Sequence, residues 1–385
     1  MRRFPLLCLA ALAFDVAPRA QSPAAAAPRL RLTSFSDPTL PFGDYSPRRA
    51  PRAVLLLEKN MRKLPLLLLL LAAACSKKSN TPGAPAGGNV TVSTVTPNMG
   101  YGVGGITADS KGNVYFSLTT SAVIYKMVPG SAPTVYAGIS GDFGFDNGAG
   151  ASATFTDPAA LAIDGSGNIL VADFLYTGLR FISSSDQVAT LVANGLDGPQ
   201  AVCVDGSGNA YTATEMGSDG IMMVTTGGMA SLFAGDGNTG YKDGALASAE
   251  FTSITGLCTD GKGTIYVADD GKIRKISGGQ VSTLAGNGHG YADGKGAGAQ
   301  FAGAMGLCLD SKGNIYVADT YDDVIRFVTP DGTVTTLAGT GNQGATDGPG
   351  QNATFYEPTN LCFGSDGNLY VADYGNDAVR KIVIK

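Results

Sequence analysis

The chain has 385 residues, of which 54 are glycine, one is histidine and none is tryptophan. Its 27 basic and 32 acidic residues leave a net charge of −5. An acidic balance repels nucleic-acid phosphates and anionic head groups, which argues against a nucleic-acid partner, and one histidine cannot supply a three-histidine zinc site.

Residues 1–60 are rich in Arg, Pro and Ala and show no sustained periodicity. They read as an N-terminal extension outside the fold, from an overcalled start. The alternative is a first signal made of Arg2-Arg3 and the apolar stretch Phe4 to Phe14. Residues 61–74 begin at Met61 with Arg62-Lys63 and continue as an apolar run into Leu71-Ala72-Ala73-Ala74-Cys75. That run is too short to span a bilayer core. The segment resembles a bacterial lipoprotein signal with Cys75 as the lipid-receiving residue, departing from it at Ala72, where Leu is more usual. The resemblance implies a chain held at the bacterial cell envelope, periplasmic or surface-facing, by its lipid alone. Residues 75–89, beginning Cys-Ser-Lys-Lys-Ser-Asn-Thr-Pro-Gly, read as a flexible tether. The first 74 residues hold 11 of the basic and 4 of the acidic residues, so the remainder has 16 and 28, a net charge near −12.

From residue 90 onward one pattern returns six times: GITADSKGNVYFSL, LAIDGSGNILVADF, AVCVDGSGNAYTAT, GLCTDGKGTIYVAD, GLCLDSKGNIYVAD and LCFGSDGNLYVAD. The turn glycines Gly112, Gly167, Gly208, Gly263, Gly313 and Gly367 lie 55, 41, 55, 50 and 54 residues apart. A strand-rich repeat of about 40 to 50 residues is the period of propeller blades. In the copy from Gly306 to Gly339, short apolar or alternating runs are separated by Asp310-Ser311-Lys312-Gly313 and Pro330-Asp331-Gly332, which makes four antiparallel strands. The last copy supplies three strands and stops. Val90-Thr91-Val92-Ser93-Thr94-Val95 looks like the missing fourth strand, so it is expected to complete the last blade and close the ring. The expected fold is all-β, a six-bladed β-propeller of four-stranded antiparallel blades over residues 90–385.

The pattern G-[VL]-x-x-D-x-x-G-N-[IVL]-Y-V-A-D, followed by a basic residue on the third strand, resembles the NHL repeat. Copies 2, 4, 5 and 6 match it, while copy 1 departs at Phe116-Ser117-Leu118 and copy 3 at Thr212-Ala213-Thr214. The resemblance implies the propeller fold and says little about a ligand. Some propellers of this kind bind RNA through a basic face, which this acidic chain lacks.

Cys203, Cys258, Cys308 and Cys362 occupy equivalent places on first strands. Neighbouring sheets pack about 10 Å apart and a disulfide needs Cα atoms within about 7 Å. They are therefore expected as packing residues rather than as disulfides. His289, in Gly286-Asn287-Gly288-His289-Gly290, reads as an exposed loop residue.

Asp173, Asp269, Asp319 and Asp373 end the second strands of copies 2, 4, 5 and 6, and Arg180, Arg274, Arg326 and Arg380 lie on the third strands that follow. Copies 1 and 3 lack both, with Leu118 and Thr214 for the Asp and Tyr125 and Met223 for the Arg. Joint presence and absence points to a structural Asp–Arg contact in each of the four blades. A ring of carboxylates serving a metal or catalysis is the functional alternative.

Four connections share a Gly-rich, Asp-containing pattern: Ala137 to Phe155, Ala234 to Phe251, Ala285 to Phe301 and Ala338 to Phe355. Their aspartates are Asp146, Asp243, Asp293 and Asp347; with His289, and with Glu215 and Asp219 from an insertion in copy 3, they are the candidate ligand-binding residues. Tight turns satisfied by Asp are the bland reading. Calcium held by Asp and backbone oxygens is the sharper one. The expected function is a non-catalytic recognition or scaffold propeller, monomeric, binding an envelope or extracellular protein, peptide or glycan through its loop face. No cofactor is expected unless calcium binds. The alternative is a calcium-dependent propeller enzyme of the lactonase or lyase type.

Overall fold

The computed structural model describes residues 89–385 apart from 101, 176–177, 194, 197 and 215–219. The expectations for residues 1–88, including the signal segment, Cys75 and most of the tether, lie outside the described residues, as do Glu215 and Asp219.

Six antiparallel sheets succeed one another along the chain. In blade 5 the strands are Ala304–Leu309, Ile315–Asp319, Val324–Val328 and Thr333–Ala338. Ile315–Asp319 is buried at every residue because adjacent blades cover both of its faces. A strand covered on both faces loses the apolar/polar alternation of a one-sided sheet, which is why the motif reads as a continuous Ile-Tyr-Val-Ala run. The turn before it follows from its residues. Asp310 Oδ1 accepts the N–H groups of Lys312 and Asn314 at 2.8 and 2.9 Å, and Oδ2 accepts Asn314 Nδ2 at 2.7 Å. Gly313 takes φ +80°, which an L side chain resists.

The first strands neighbour one another in order and make the inner ring. Their spacing depends on small residues. A Cβ on Gly256 would lie 1.8 Å from Met305 O, and one on Gly306 would lie 2.5 Å from Asn360 Cα. The partly exposed second residues of these strands carry Gln200, Thr255 and Thr359, whose polar atoms are spent between blades: Gln200 Nε2 donates to Ile254 O at 2.8 Å and Thr255 Oγ1 to Ala304 O at 2.7 Å.

The ring closes as the strand pattern implies. Val90–Thr96 pairs antiparallel with Ala378–Ile384, setting Val92 opposite Ile382 and Thr94 opposite Arg380. The four cysteines are free; Cys203 and Cys258 are buried, and burial raises all four thiols well above their usual range.

Two features differ from the sequence reading. Blades 2, 4, 5 and 6 have a fifth strand of two residues, Gly148–Ala149, Gly244–Ala245, Gly294–Lys295 and Gly348–Pro349, outside the fourth. And in blade 3 the residue opposite Thr212, the place that Arg takes elsewhere, is Met222 and not Met223.

Candidate functional site

Each long connection is bolted to the blade it enters by one arginine. In blade 5 Arg326 is fully buried. Its Nη1 donates to Asp319 Oδ2 at 2.8 Å and to Gln300 O at 3.0 Å. Its Nη2 donates to Asp293 Oδ1 and to Ala292 O, both at 2.8 Å. The guanidinium lies 5.1 Å from the Phe301 ring centre and 4.9 Å from that of Tyr291. Arg274 repeats this with Asp269 at 2.6 Å, Asp243 at 2.8 Å and Phe251, and Arg380 with Asp373 and Asp347, both at 2.8 Å, and Phe355. One planar fork therefore ties a strand-end carboxylate, a loop carboxylate and two loop carbonyls to a buried ring.

The loop aspartates Asp243, Asp293 and Asp347 stay open to solvent on one side while both carboxylate oxygens bond to the protein. Asp243 Oδ2 accepts the Thr283 N–H at 2.9 Å while Oδ1 holds Arg274. Asp293 does the same for Thr336, and Asp347 for Thr94, the ring-closing strand. Partial burial lifts the Asp243 and Asp347 carboxyls, but the N–H groups of Thr283 and Thr94 and the arginines hold them below the usual range.

Blade 2 is the variant. Arg180 stands 3.7 Å from Asp173, and its Nη2 donates to Asn147 Oδ1 at 3.1 Å and to Asp146 O at 3.0 Å. The counterpart of the other loop aspartates is thus Asn147, which precedes Gly148 as Asp243 precedes Gly244. Asp146 keeps an exposed side chain and contributes backbone. Among the described residues, blades 1 and 3 lack the whole assembly, arginine, long loop, Phe and fifth strand together. Tyr125 fills the space in blade 1, stacked on Phe116 at 5.6 Å.

Between its bolts each loop pivots on a glycine whose N–H donates to the plugging Phe carbonyl: Gly144 to Phe155, Gly240 to Phe251, Gly290 to Phe301 and Gly344 to Phe355, at 3.0 to 3.3 Å. A Cβ would not fit at these points, lying 2.6 Å from Thr154 Oγ1 at Gly144 and 2.7 Å from Thr354 Oγ1 at Gly344. The residues flanking this glycine are Phe143 and Phe145, Thr239 and Tyr241, His289 and Tyr291, Gln343 and Ala345. All but Tyr291 are exposed; Phe143 and Phe145 are each 58% exposed.

His289 is exposed as expected, and it has partners that the sequence did not disclose. Nε2 lies 2.7 Å from Asp270 Oδ1 and Nδ1 lies 3.0 Å from Ala302 O. Both nitrogens face acceptors, so the ring holds two protons, and the Asp270 hydrogen bond raises its pKa to about 9. Tyr241 OH also reaches Asp270, which joins the loops on either side of blade 4.

Near the same face Asp157 is another carboxyl lifted by its surroundings. Asp157 enters the first strand of blade 2, and burial, with Asp173 nearby, lifts it to about 6. A folded-state pKa above the unfolded value means the fold binds this proton more tightly. Its contribution is therefore present below about pH 4 and is lost as pH rises through about 6. Asp157→Asn is expected to raise Tm by a few degrees at pH 7, about 1–2 kcal/mol, and to leave it unchanged at pH 4, read from paired thermal melts. Among the described residues no group of three or more His, Cys, Asp or Glu could hold a metal ion.

Fold and site define a six-bladed antiparallel β-propeller with four arginine-bolted loops on one face. No protein-family model matches the chain, and no curated protein does. Solved structures do match. A protein of unknown function from Bacteroides thetaiotaomicron superposes with TM-score 0.61 at 16% identity, over 79% of this chain and 84% of that one. An auxiliary nutrient binding protein from Bacteroides ovatus gives TM-score 0.59 at 16% identity, over 77% of each chain. A virginiamycin B lyase from Staphylococcus aureus gives 0.51 at 14%, over 77% of this chain and 100% of that one. At these identities the likeness is one of fold, and it includes both a binding protein and an enzyme.

Proposed function

We propose that the chain is a non-catalytic recognition propeller of the NHL-repeat type, held at the bacterial cell envelope by lipid on Cys75, that binds a protein, peptide or glycan through its loop face. One observation carries this reading. Four loops share a skeleton of Gly, Phe, Arg and Asp or Asn, yet each presents different residues around the same glycine. A rigid frame with varied tips is how loops on a scaffold bind. The likeness to an auxiliary nutrient binding protein agrees with it. The test uses peptide and glycan arrays probed with the wild-type chain. Replacing Phe143, Phe145, Tyr241 and Gln343 together with Ser should lower the bound signal about tenfold, and replacing Lys111, Lys262 and Lys312 on the opposite face should not. The reverse pattern would sink the proposal.

A lactonase- or lyase-type enzyme is the second reading, and Asp157 is the observation that favours it. A half-buried carboxyl lifted towards neutrality suits a general acid or base. Calcium is the cation such a site would take, and a calcium-dependent rise in Tm not matched by magnesium would support it.

A further inference from the structure

The fourth strand is the outer edge of each blade, and four of the six edges are covered by the chain itself. Gly244–Ala245 pairs with Val281 and Gln280, and equivalent pairs cover blades 2, 5 and 6. The loop aspartate or asparagine then bonds the Thr opposite the arginine: Thr190, Thr283, Thr336 or Thr94. Among the described residues, the fourth strands of blades 1 and 3, Thr134–Ala137 and Ala230–Ala234, pair on one side only.

The register shows what replaces the capped threonine. Thr283 stands opposite Arg274; Leu232 stands opposite Met222 in blade 3, and Val135 opposite Tyr125 in blade 1. Both are open to solvent, Leu232 at 52% and Val135 at 49%, and Met229 beside the blade 3 strand is 76% exposed. Among the described residues, large exposed apolar side chains lie either on the loop face or beside these two uncovered edges. The edges are not alike. Pro133 immediately precedes the blade 1 strand, with Pro129 in the same turn, and blunts its start, since proline offers no N–H to a partner. Residues 225–234 of blade 3, Thr-Thr-Gly-Gly-Met-Ala-Ser-Leu-Phe-Ala, contain neither proline nor charge, the devices that normally protect an edge.

We infer that the outer edge of blade 3, Met229 to Ala234, is a strand-addition site that takes an extended segment of a partner protein, uncharged where it pairs and basic at its ends. The sibling blades show the form of the occupant. The same position is filled there by extended backbone running antiparallel to the fourth strand, and an open ladder accepts nothing else along its length. Charge selects the partner's ends. Residues 90–385 contain 14 Lys and Arg against 28 Asp and Glu, so a second copy of this chain carries the same net negative charge and a basic-flanked segment the opposite one. Leu232 and Met229 offer apolar area to alternate side chains of the incoming strand.

The probe is a dye-labelled peptide, Lys-Lys-Thr-Val-Thr-Val-Thr-Lys-Lys, titrated by fluorescence anisotropy against the full chain. Binding is expected, with slowed amide hydrogen exchange confined to residues 229–234. Leu232→Lys, at an exposed position, should keep the wild-type Tm and weaken binding at least about tenfold, and the same peptide with Glu at its ends should bind at least about tenfold more weakly. Absence of binding, an equal affinity for Leu232→Lys, or protection on a covered blade would overturn the inference. So would self-association in sedimentation that Leu232→Lys abolishes, because the occupant would then be a second copy.

Discussion

Replacing Arg326 with Ala is expected to destabilise the protein by about 3–5 kcal/mol, among the largest effects of any single substitution in it. The arginine touches no solvent, and its loss leaves the fully buried Asp319 carboxylate without its guanidinium. Burial already lifts that carboxyl above the usual range, and Arg326 is the chief opposing influence. Asp293 and the carbonyls of Gln300 and Ala292 lose their donor in the same step. Asp319→Ala should cost a similar amount, since it strands the arginine instead. The double variant should cost clearly less than the sum of the two, by at least about 1 kcal/mol in chemical denaturation. Strict additivity would show that the two side chains act separately. Blade 1 fills the same space with Leu118 and Tyr125, so Asp319→Leu with Arg326→Tyr should recover part of the loss.

Removing residues 1–96 is expected to abolish cooperative unfolding and to give aggregates in sedimentation, whereas removing 1–88 should leave the melt of the propeller unchanged. The seven residues Val90–Thr96 are the fourth strand of blade 6. Val90 and Val92 are 5% and 1% exposed, and each contributes about 1.5–3 kcal/mol by burial. Thr94 also carries the cap from Asp347, so the last bolted loop loses its anchor. Without the strand, the edge of Ala378–Ile384 is open, and an open apolar edge is a site of aggregation. A monomeric, cooperatively melting 97–385 would show that closure by this strand is dispensable.

The blades were legible because each is specified locally. Asp310, Gly313 and Asn314 make their turn within five residues, and Ile315 to Ala318 can only be a covered strand. Closure was legible too, because Val90–Val95 resembles the fourth strands of other copies. The Asp–Arg pairs, five to seven residues apart, are legible as well; the arginine's bonds to the loop Asp or Asn, 31 to 33 residues away, leave no short-range pattern. The signal was present in another form: the blades that have the arginine are the blades entered by a long loop. Asn147 escapes an alignment on Asp, which selects Asp146; the positions correspond through the following glycine, whose φ is +139° in blade 2 and +144° in blade 4. The two-residue fifth strands carry no hydrophobic period at all. Met222 was misplaced by one residue in a strand, Ile-Met-Met-Val, whose two methionines are equivalent to the eye and opposite in face.

Arginine fixes each long loop to its blade, through bonds such as those from Arg326 to Asp293 and Ala292. Amide hydrogen exchange at Gly144, Gly240, Gly290 and Gly344 tests this most directly, since each N–H is bonded to the plugging Phe carbonyl. The expected result is protection close to that of the core strands, with Arg326→Ala releasing Gly290 before the other three. Exchange at all four glycines as fast as in an exposed turn, or no change at Gly290 in the variant, would contradict it.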